Sequence, residues 1–298
     1  MALMLDGREP ARRIRAWVAE SVEALKKKHG WTPGLVTVQI GENPAAARYV
    51  RGQLKACTDA GIDAKLVRFP ADISKENFLR ELAFIDRDPN VDGIIVQTPL
   101  PDGWPSDEIL SAIPSSKDVE GVHPENLGRL YLGEKKIPFP CTAWAAVSLL
   151  EWYGRSSFEW KNCAIVGRSP NVGRASALLL MHRQATITVC HTRTSPEQLR
   201  ETLSLADVLI VATGVPGMIK PDLLPRRAWV VDIGINVTKD GKLMGDVAPG
   251  AEDYVEAITP VPGGVGPMTV SLLLANLLLC ATKRRLGESL TLDVRKLR

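Results

Sequence analysis

The sequence predicts an α/β protein with two domains, each built around a parallel sheet. Two observations support this prediction. At roughly 150 residues per domain, 298 residues are enough for two domains. Short apolar runs typical of strands also alternate along the chain with segments whose apolar residues recur at helical spacing. Such alternation implies right-handed parallel crossovers, with helices covering both faces of each sheet.

The first half of the chain contains several of these repeats. Ile14, Val18 and Val22 recur at helical spacing and predict a helix over 10–29. The pattern then predicts strands over 35–40, 64–69 and 93–97, separated by helices over 44–60 and 74–86. From 98 to 140, prolines and glycines interrupt the pattern.

The second half of the chain begins a new alternating series. After a helix over 143–153, we expect strands over 163–166, 185–190, 208–212 and 229–233. Helices are expected over 173–183 and 195–203, and a final long helix over 268–285. A glycine-containing turn directly follows the first of these strands, so the series predicts a doubly wound, Rossmann-type sheet.

Composition excludes several classes of protein. The 37 lysines and arginines exceed the 34 aspartates and glutamates by only 3, so charge indicates neither a nucleic-acid nor a membrane-surface partner. The five cysteines are scattered without ligand spacing and indicate neither a disulfide framework nor a metal site. The longest apolar stretch, over 270–281, is too short to span a bilayer. We therefore expect a soluble cytoplasmic protein.

The turn after the strand over 163–166 is a candidate phosphate site. Gly167, Arg168 and Ser169 lie between this strand and a helix, where backbone N–H groups can bind a dinucleotide pyrophosphate. The spacing departs from G-x-G-x-x-G, so an ordinary strand–helix turn is an equally open alternative. Thr192 and Arg193 follow the next strand, where an NAD site would carry a carboxylate. With Arg168 they favour NADP over NAD.

Two further strand ends are expected at the same edge of the sheet. Thr213 and Gly214 follow one strand, and Ile233, Gly234 and Ile235 follow another. Ligands of doubly wound sheets bind at this carboxyl edge. Glycines there also permit close packing without any ligand, and that alternative stays open.

Several motifs together resemble one family. They are GENP at 41–44, YV at 49–50, KAC at 55–57, VQTPLP at 96–101, KDVEG at 117–121, PCT at 140–142, VGRS at 166–169, DIGIN at 232–236 and TPVPGGVGPMT at 259–269. In order and content they resemble the methylenetetrahydrofolate dehydrogenase/cyclohydrolase (FolD) family over nearly the whole chain.

This resemblance implies an architecture and a function. Residues 1–145 with 268–298 would form a folate-binding catalytic domain, and 146–267 an NAD(P)-binding domain, with folate in the cleft between them. The family oxidises 5,10-methylenetetrahydrofolate to the methenyl cation and hydrolyses this cation to 10-formyltetrahydrofolate. The resemblance also implies a homodimer.

The resemblance assigns residues to the substrate site. Tyr49 matches a tyrosine that packs on folate, and Gln97 matches a glutamine near the reacting carbon. Glu120 stands where the family has an aspartate that binds the pterin. Pro262, Gly263 and Gly264 match a loop that presses its backbone against the substrate.

The main departure from the family is Gln53, which occupies the position of a lysine four residues after the tyrosine. Lysine can handle protons and place positive charge, whereas glutamine can only hydrogen-bond. The family serine is replaced by Ala46, and the segment over 143–145 also differs. We therefore predict an NADP-dependent dehydrogenase with lost or weak cyclohydrolase activity, in which Tyr49, Gln53, Gln97 and Glu120 are the catalytic candidates.

Two alternatives stay open. One is the ordinary bifunctional enzyme that makes 10-formyltetrahydrofolate. The other is a non-catalytic folate- or nucleotide-binding sensor, although the intact pterin and dinucleotide motifs argue against it.

Overall fold

The structure is a computed structural model that describes residues 1–42, 44–155, 157–238 and 240–298, with only the backbone for 44–48. Its strands are β1 (Leu3–Met4), β2 (Gly34–Ile40), β3 (Asp63–Phe69), β4 (Gly93–Val96), β5 (Asn162–Val166), β6 (Thr186–Cys190), β7 (Val208–Val211), β8 (Trp229–Asp232), β9 (Asn236–Val237), β10 (Leu243–Met244) and β11 (Ala257–Ile258). Its helices are α1 (Arg8–His29), α2 (Pro44–Asp59), α3 (Lys75–Arg87), α4 (Ser106–Ser111), α5 (Pro124–Tyr131), α6 (Cys141–Trp152), α7 (Ala175–Met181), α8 (Pro196–Leu205) and α9 (Val265–Leu286).

The chain forms two compact units, and the first contains the doubly wound sheet. It comprises Met1–Arg12, Pro140–Thr269 and Asp293–Arg298. Six parallel strands lie in the order β1-β11-β8-β7-β5-β6. From β5 the chain moves outward to β6 and then returns across β5 to β7. Strand order therefore reverses beside β5, and doubly wound sheets bind ligands at the carboxyl end of such a switch point.

The amino-terminal residues belong to this first unit. Leu3 pairs with Ala257 and Met4 with Ile258, so β1 extends the sheet through β11. The expected domain boundaries placed 1–12, 140–145, 268–269 and 293–298 in the other domain. For 1–12 the difference arises because the two-residue strand β1 leaves no periodic signal in the sequence.

The second unit comprises Arg13–Phe139 and Val270–Leu292. Its parallel sheet has the order β3-β2-β4. Val38, Phe78 and Ile94 lie in its apolar core. From α9, the Asn276 amide donates hydrogen bonds to Val119 O and Phe139 O, both at 2.9 Å. The carboxyl-terminal helix thus completes this unit, and the predicted fold class is confirmed.

A buried carboxylate ties α9 to this sheet. The Asp92 side chain is fully buried and accepts hydrogen bonds from Gly34 N at 3.0 Å and from Arg285 Nε and Nη2 of the same guanidinium, the latter at 2.7 Å. Arg284 also pairs with it. Removing one partner of such a buried pair leaves an uncompensated charge, so the cluster fixes α9 against the starts of β2 and β4.

Among the described residues, α9 is the one helix with the length and composition of a membrane span. Of its most apolar window, 78% is buried inside the fold. Burial of this extent is typical of a core helix.

Candidate active site

Gln97 and Glu120 lie at the carboxyl edge of the three-stranded sheet. Gln97 directly follows β4, and its N–H donates to Val38 O at 2.8 Å. A parallel bridge between Ile94 and Asp118 lays the segment after 117 alongside β4. Glu120 follows two residues after this bridge, in the bend that continues from it toward the carboxyl edge.

The segment that carries Glu120 is fixed by its neighbour Asp118. The Asp118 carboxylate accepts hydrogen bonds from Gly121 N at 3.0 Å, His123 N at 2.8 Å and Asn126 Nδ2 at 2.8 Å. Glu120 itself has no hydrogen-bond or ion-pair partner among the described residues. Its carboxyl group is thus held in place by the backbone while both oxygens stay available to a ligand.

The environment of Glu120 raises the pKa of its carboxyl group. Its side chain is half-buried. Burial, followed by repulsion from the charge of Asp118, raises the pKa of Glu120 from 4.5 to about 7. At neutral pH this carboxyl group therefore exchanges a proton readily, as acid–base residues do.

Tyr49 and Gln53 are one helical turn apart on α2 and share a face. Tyr49 is 43% exposed. Gln53 is fully buried, and neither Oε1 nor Nε2 has a hydrogen-bond partner in the described part of the chain. A buried amide without partners costs about 1–3 kcal/mol, so a ligand or water that satisfied it would stabilise the protein.

Lys55 does not take over the position of the missing lysine. Its side chain is 76% exposed and pairs with Asp59 at 3.0 Å. Two residues along a helix from Gln53, it points to another face. The predicted change at Ala46 lies among the side chains outside the described part.

The loop over 260–264 lies in the first unit. Gly263 O accepts a hydrogen bond from Gly7 N at 2.8 Å, and Gly264 N donates to Pro260 O at 2.9 Å. Pro262 is exposed, whereas Gly264 is buried. The role of Pro262, Gly263 and Gly264 in substrate binding stays a prediction.

The turn after β5 closely approaches the end of β7. Gly167 has φ +132°, and a Cβ there would lie 2.2 Å from Ala212 O, so only glycine fits. Ser169 caps the following turn, accepting from Gly173 N at 3.4 Å and, through its carbonyl, from Arg174 N at 3.0 Å. The N–H groups of Arg168 and Ser169 have no partner among the described residues.

The end of β6 lies beside this turn. Val166 pairs with Cys190, and Gly167 N donates to Cys190 O at 2.9 Å. Thr192 and Arg193 follow two and three residues later, in an exposed turn closed by a hydrogen bond from Arg193 N to His191 Nδ1 at 3.1 Å. The structure therefore brings both predicted phosphate-binding segments to one edge.

These segments fit a phosphorylated dinucleotide. The guanidinium groups of Arg168 and Arg193 are exposed and form no ion pair with any described residue. The segment 191–194 after β6 carries no carboxylate. Unpaired cations beside free backbone N–H groups suit a pyrophosphate and a 2′-phosphate.

No cluster of three or more histidine, cysteine, aspartate or glutamate side chains in the described ranges could hold a metal ion.

The two other predicted strand ends have their N–H groups engaged by protein. Thr213 N and Gly214 N donate to the Asp246 carboxylate at 2.5 and 2.9 Å, and Gly234 N donates to Asp232 Oδ1 at 2.9 Å. Ile233 and Ile235 flank Gly234, and Ile235 is 64% exposed. A ligand at this edge would therefore meet side chains and carbonyl groups rather than these N–H groups.

Sequence reasoning missed Asp232 and Asp246. A Cβ on Gly234 would lie 2.2 Å from Asp246 Oδ1, so this glycine makes room for a buried carboxylate. The sequence does show an acidic residue at a strand end, Asp232, and another after a short hairpin, Asp246. The N–H groups that these carboxylates bind could not be identified without the fold.

Comparison with known proteins agrees with this geometry. The family model for the tetrahydrofolate dehydrogenase/cyclohydrolase catalytic domain matches residues 5–120, and that for its NAD(P)-binding domain matches 140–285. The bifunctional protein FolD of Brevibacillus brevis is 41% identical over 284 residues, which cover 95% of this chain and 98% of that protein.

Solved structures give the same result. The bifunctional FolD dehydrogenase/cyclohydrolase of Campylobacter jejuni superposes with a TM-score of 0.91 at 38% identity, covering 95% of this chain and all of that one. The Trypanosoma brucei enzyme, solved with NADP and an inhibitor, gives 0.89 at 33% identity, covering 96% and 99%. With both domain models matched and both units reproduced, the chain belongs to the tetrahydrofolate dehydrogenase/cyclohydrolase family, which its motifs predicted.

Proposed function

We propose that the chain oxidises 5,10-methylenetetrahydrofolate to 5,10-methenyltetrahydrofolate with NADP. The observation that carries the proposal is the pair of unpaired guanidinium groups, Arg168 and Arg193, beside the glycine turn after β5. The Trypanosoma brucei relative binds NADP, which supports the same cofactor here.

The second unit supplies groups that suit a pterin. A carboxylate accepts paired N–H donors, such as the amino group and ring N–H of a 2-amino-4-oxo ring, and Glu120 has both oxygens available. Gln97, at the same strand end, can donate and accept. The partly exposed ring of Tyr49 offers a surface on which a flat ligand can pack.

The proposed dehydrogenation does not require these residues to transfer a proton. NADP, when bound, accepts a hydride, and the lone pair of the folate nitrogen stabilises the cation that remains. The protein's contribution is to bind and orient the two ligands, which can account for much of the rate. Gln53 is compatible with this step because a neutral amide does not repel a forming cation.

The direct test is turnover. Purified protein given methylenetetrahydrofolate and NADP should form NADPH, followed by its absorbance, and a reaction without the folate should not. A non-catalytic binding protein would bind the ligands without producing NADPH. Reduction of neither NADP nor NAD would disprove the proposed oxidation.

Arg168 should determine the preference for NADP. Arg168→Ala removes a cation from the 2′-phosphate, and a charged hydrogen bond of this kind is worth about 1.5–3 kcal/mol. The Michaelis constant for NADP should rise about tenfold or more, while that for NAD changes little. Arg200→Ala, an exposed arginine on α8 paired with Asp222, is the matched control. Equal effects on both cofactors would show that Arg168 does not contact the 2′-phosphate.

The raised pKa of Glu120 predicts pH-dependent substrate binding. The carboxylate form accepts both pterin donors, so affinity for methylenetetrahydrofolate should fall as pH decreases through about 7. In Glu120→Gln, affinity should be lower throughout and this dependence should disappear. Equal pH profiles in the two proteins would contradict the assignment.

Stability without ligand should show the opposite dependence. Because the folded pKa is raised, the fold favours the neutral carboxyl group, and its contribution is fully present below 4.5 and lost as pH rises to about 7. This loss is on the order of 3 kcal/mol in the free energy of unfolding. Urea unfolding should show this decrease in the free energy of unfolding between pH 4.5 and about 7 for wild type and not for Glu120→Gln.

We further propose that the chain hydrolyses methenyltetrahydrofolate, at a rate limited by Gln53. The Brevibacillus brevis and Campylobacter jejuni relatives are named as bifunctional, which favours the bifunctional alternative over the predicted loss of this activity. Glu120 supports it too, because a carboxyl group with a pKa of about 7 can exchange protons during hydrolysis.

Decay of methenyltetrahydrofolate absorbance measures this second step. Wild type should accelerate decay above the buffer rate. Gln53→Lys should accelerate it further, since positioned acid–base groups typically contribute about 10²–10⁴-fold. Gln53→Met, similar in volume, is the control that supplies no proton. Decay at the buffer rate with wild type would restore the prediction of a lost cyclohydrolase.

We also propose a cytoplasmic homodimer. The five cysteines are buried free thiols, which suits a reducing compartment. The edge strand β6 exposes part of its surface, with Val189 39% exposed, and an unpaired edge of this kind can pair with a second copy.

A further inference from the structure

One buried side chain, Asp246, joins the loops that follow β7 and β8. It is fully buried. Its Oδ2 accepts hydrogen bonds from Thr213 N at 2.5 Å and Gly214 N at 2.9 Å, and its Oδ1 accepts one from Asn236 Nδ2 at 2.8 Å. Two separate segments at the carboxyl edge of the sheet are therefore held by the same carboxylate.

A second carboxylate fixes the backbone of Asp246. Asp232, at the end of β8, is 4% exposed. Its Oδ1 accepts from Asp246 N at 3.0 Å and from Gly234 N at 2.9 Å, and its Oδ2 accepts from Val247 N at 2.9 Å. Asp246 is thus anchored to β8 through its backbone and to the strand-end loops through its side chain.

The groups around the Asp246 side chain require an acceptor on both oxygens. Thr213 N, Gly214 N and Asn236 Nδ2 all donate. A carboxylate has acceptors only, whereas an asparagine would turn an NH₂ group toward one of these donors. The chemistry of the site therefore distinguishes aspartate from its closest isostere.

We propose that Asp246 is a positioning residue for NADP, holding the Thr213–Gly214 turn and the loop after β8 in the conformation that binds the dinucleotide. The inference rests on the proposed function and on the sequence prediction that these two segments bind the cofactor. Asp246 acts through them, since its own carboxylate is fully buried.

Charge alone predicts the opposite effect. NADP is an anion, so removing a nearby negative charge would strengthen its binding if Asp246 acted only through its field. Loss of positioning would weaken binding. The sign of the change in affinity therefore separates the two explanations.

The experiment is the NADP dissociation constant of Asp246→Asn, measured by titration of the folded protein. We expect it to rise about tenfold or more, from the loss of one charge-assisted hydrogen bond. The Michaelis constant for methylenetetrahydrofolate should stay within about twofold of wild type, because a general loss of structure would change both.

Asp207→Asn is the matched control. Asp207 also accepts a backbone N–H, from Asn162 at 3.0 Å, but at the start of β5, the opposite edge of the same sheet. This substitution should lower the free energy of unfolding without changing the NADP dissociation constant. An equal loss of NADP affinity in both variants would overturn the specific role of Asp246.

If Asp246→Asn does not fold, Asn236→Ala tests the same role of Asp246. It removes the amide that donates to Asp246 Oδ1 and to Met244 O and leaves both donors to Oδ2 in place, and a rise of a few-fold in the NADP dissociation constant supports the proposal. Unchanged or tighter binding in the folded variants overturns it. Wild-type protein that binds no NADP would overturn the proposed cofactor as well, whereas binding by wild type with no change in the variants overturns the Asp246 role alone.

Discussion

Buried aspartates that accept backbone N–H groups are the interaction on which both units depend. A parallel sheet presents unpaired N–H and C=O groups where its strands end, and leaving them buried without partners is costly. Asp92 meets this requirement at the start of β2, Asp118 in the segment that carries Glu120, and Asp232 with Asp246 after β7 and β8. Each carboxylate satisfies several donors at once, so it fixes a loop that no regular element could fix. Among the candidate ligand-binding residues, Glu120, Thr213, Gly214 and Gly234 are carried on these fixed loops.

Periodicity in the sequence was sufficient for most of the fold. The long helices and the strands with four or more residues were predicted to within a few residues, because their apolar residues recur at helical spacing or form short apolar runs. The short pairs β1–β11 and β9–β10 were not predicted, and neither were α4 and α5. Two-residue strands are stabilised by the sheet they join, and α4 and α5 are too short, with six and eight residues, for a clear apolar period. Their existence depends on tertiary contacts that a local pattern does not contain.

For the site, the sequence identified the residue types but not which of their backbone N–H groups are hydrogen-bonded within the protein. Arg168, Thr192 and Arg193 lie at one edge, as predicted from two consecutive strand ends. The glycine at 234 was assigned to cofactor binding with close packing as the alternative, and its N–H is engaged by Asp232 while Asp246 occupies the space of a side chain. No spacing rule links a carboxylate to donors 33 residues earlier in the chain. Only the folded sheet brings them together.

The two departures from the family pattern in the substrate unit each reduce the fixed charge, one by removing a positive charge and the other by partly removing a negative one. The resemblance places a lysine and an aspartate where this chain has Gln53 and Glu120, and the replacements leave an uncharged amide and a carboxyl group whose pKa of about 7 keeps it partly neutral at neutral pH. Loss of the lysine charge suits the proposed hydride loss, since the product is a delocalised cation and this step needs no protein proton. The proposed hydrolysis needs a group that exchanges protons, and with Gln53 in the lysine position Glu120 is the residue proposed to meet this need. Glu120 can meet it only while it is free of the pterin donors, so substrate binding and proton exchange compete for the same two oxygens. Under the proposed function, this competition would slow the hydrolysis relative to the oxidation.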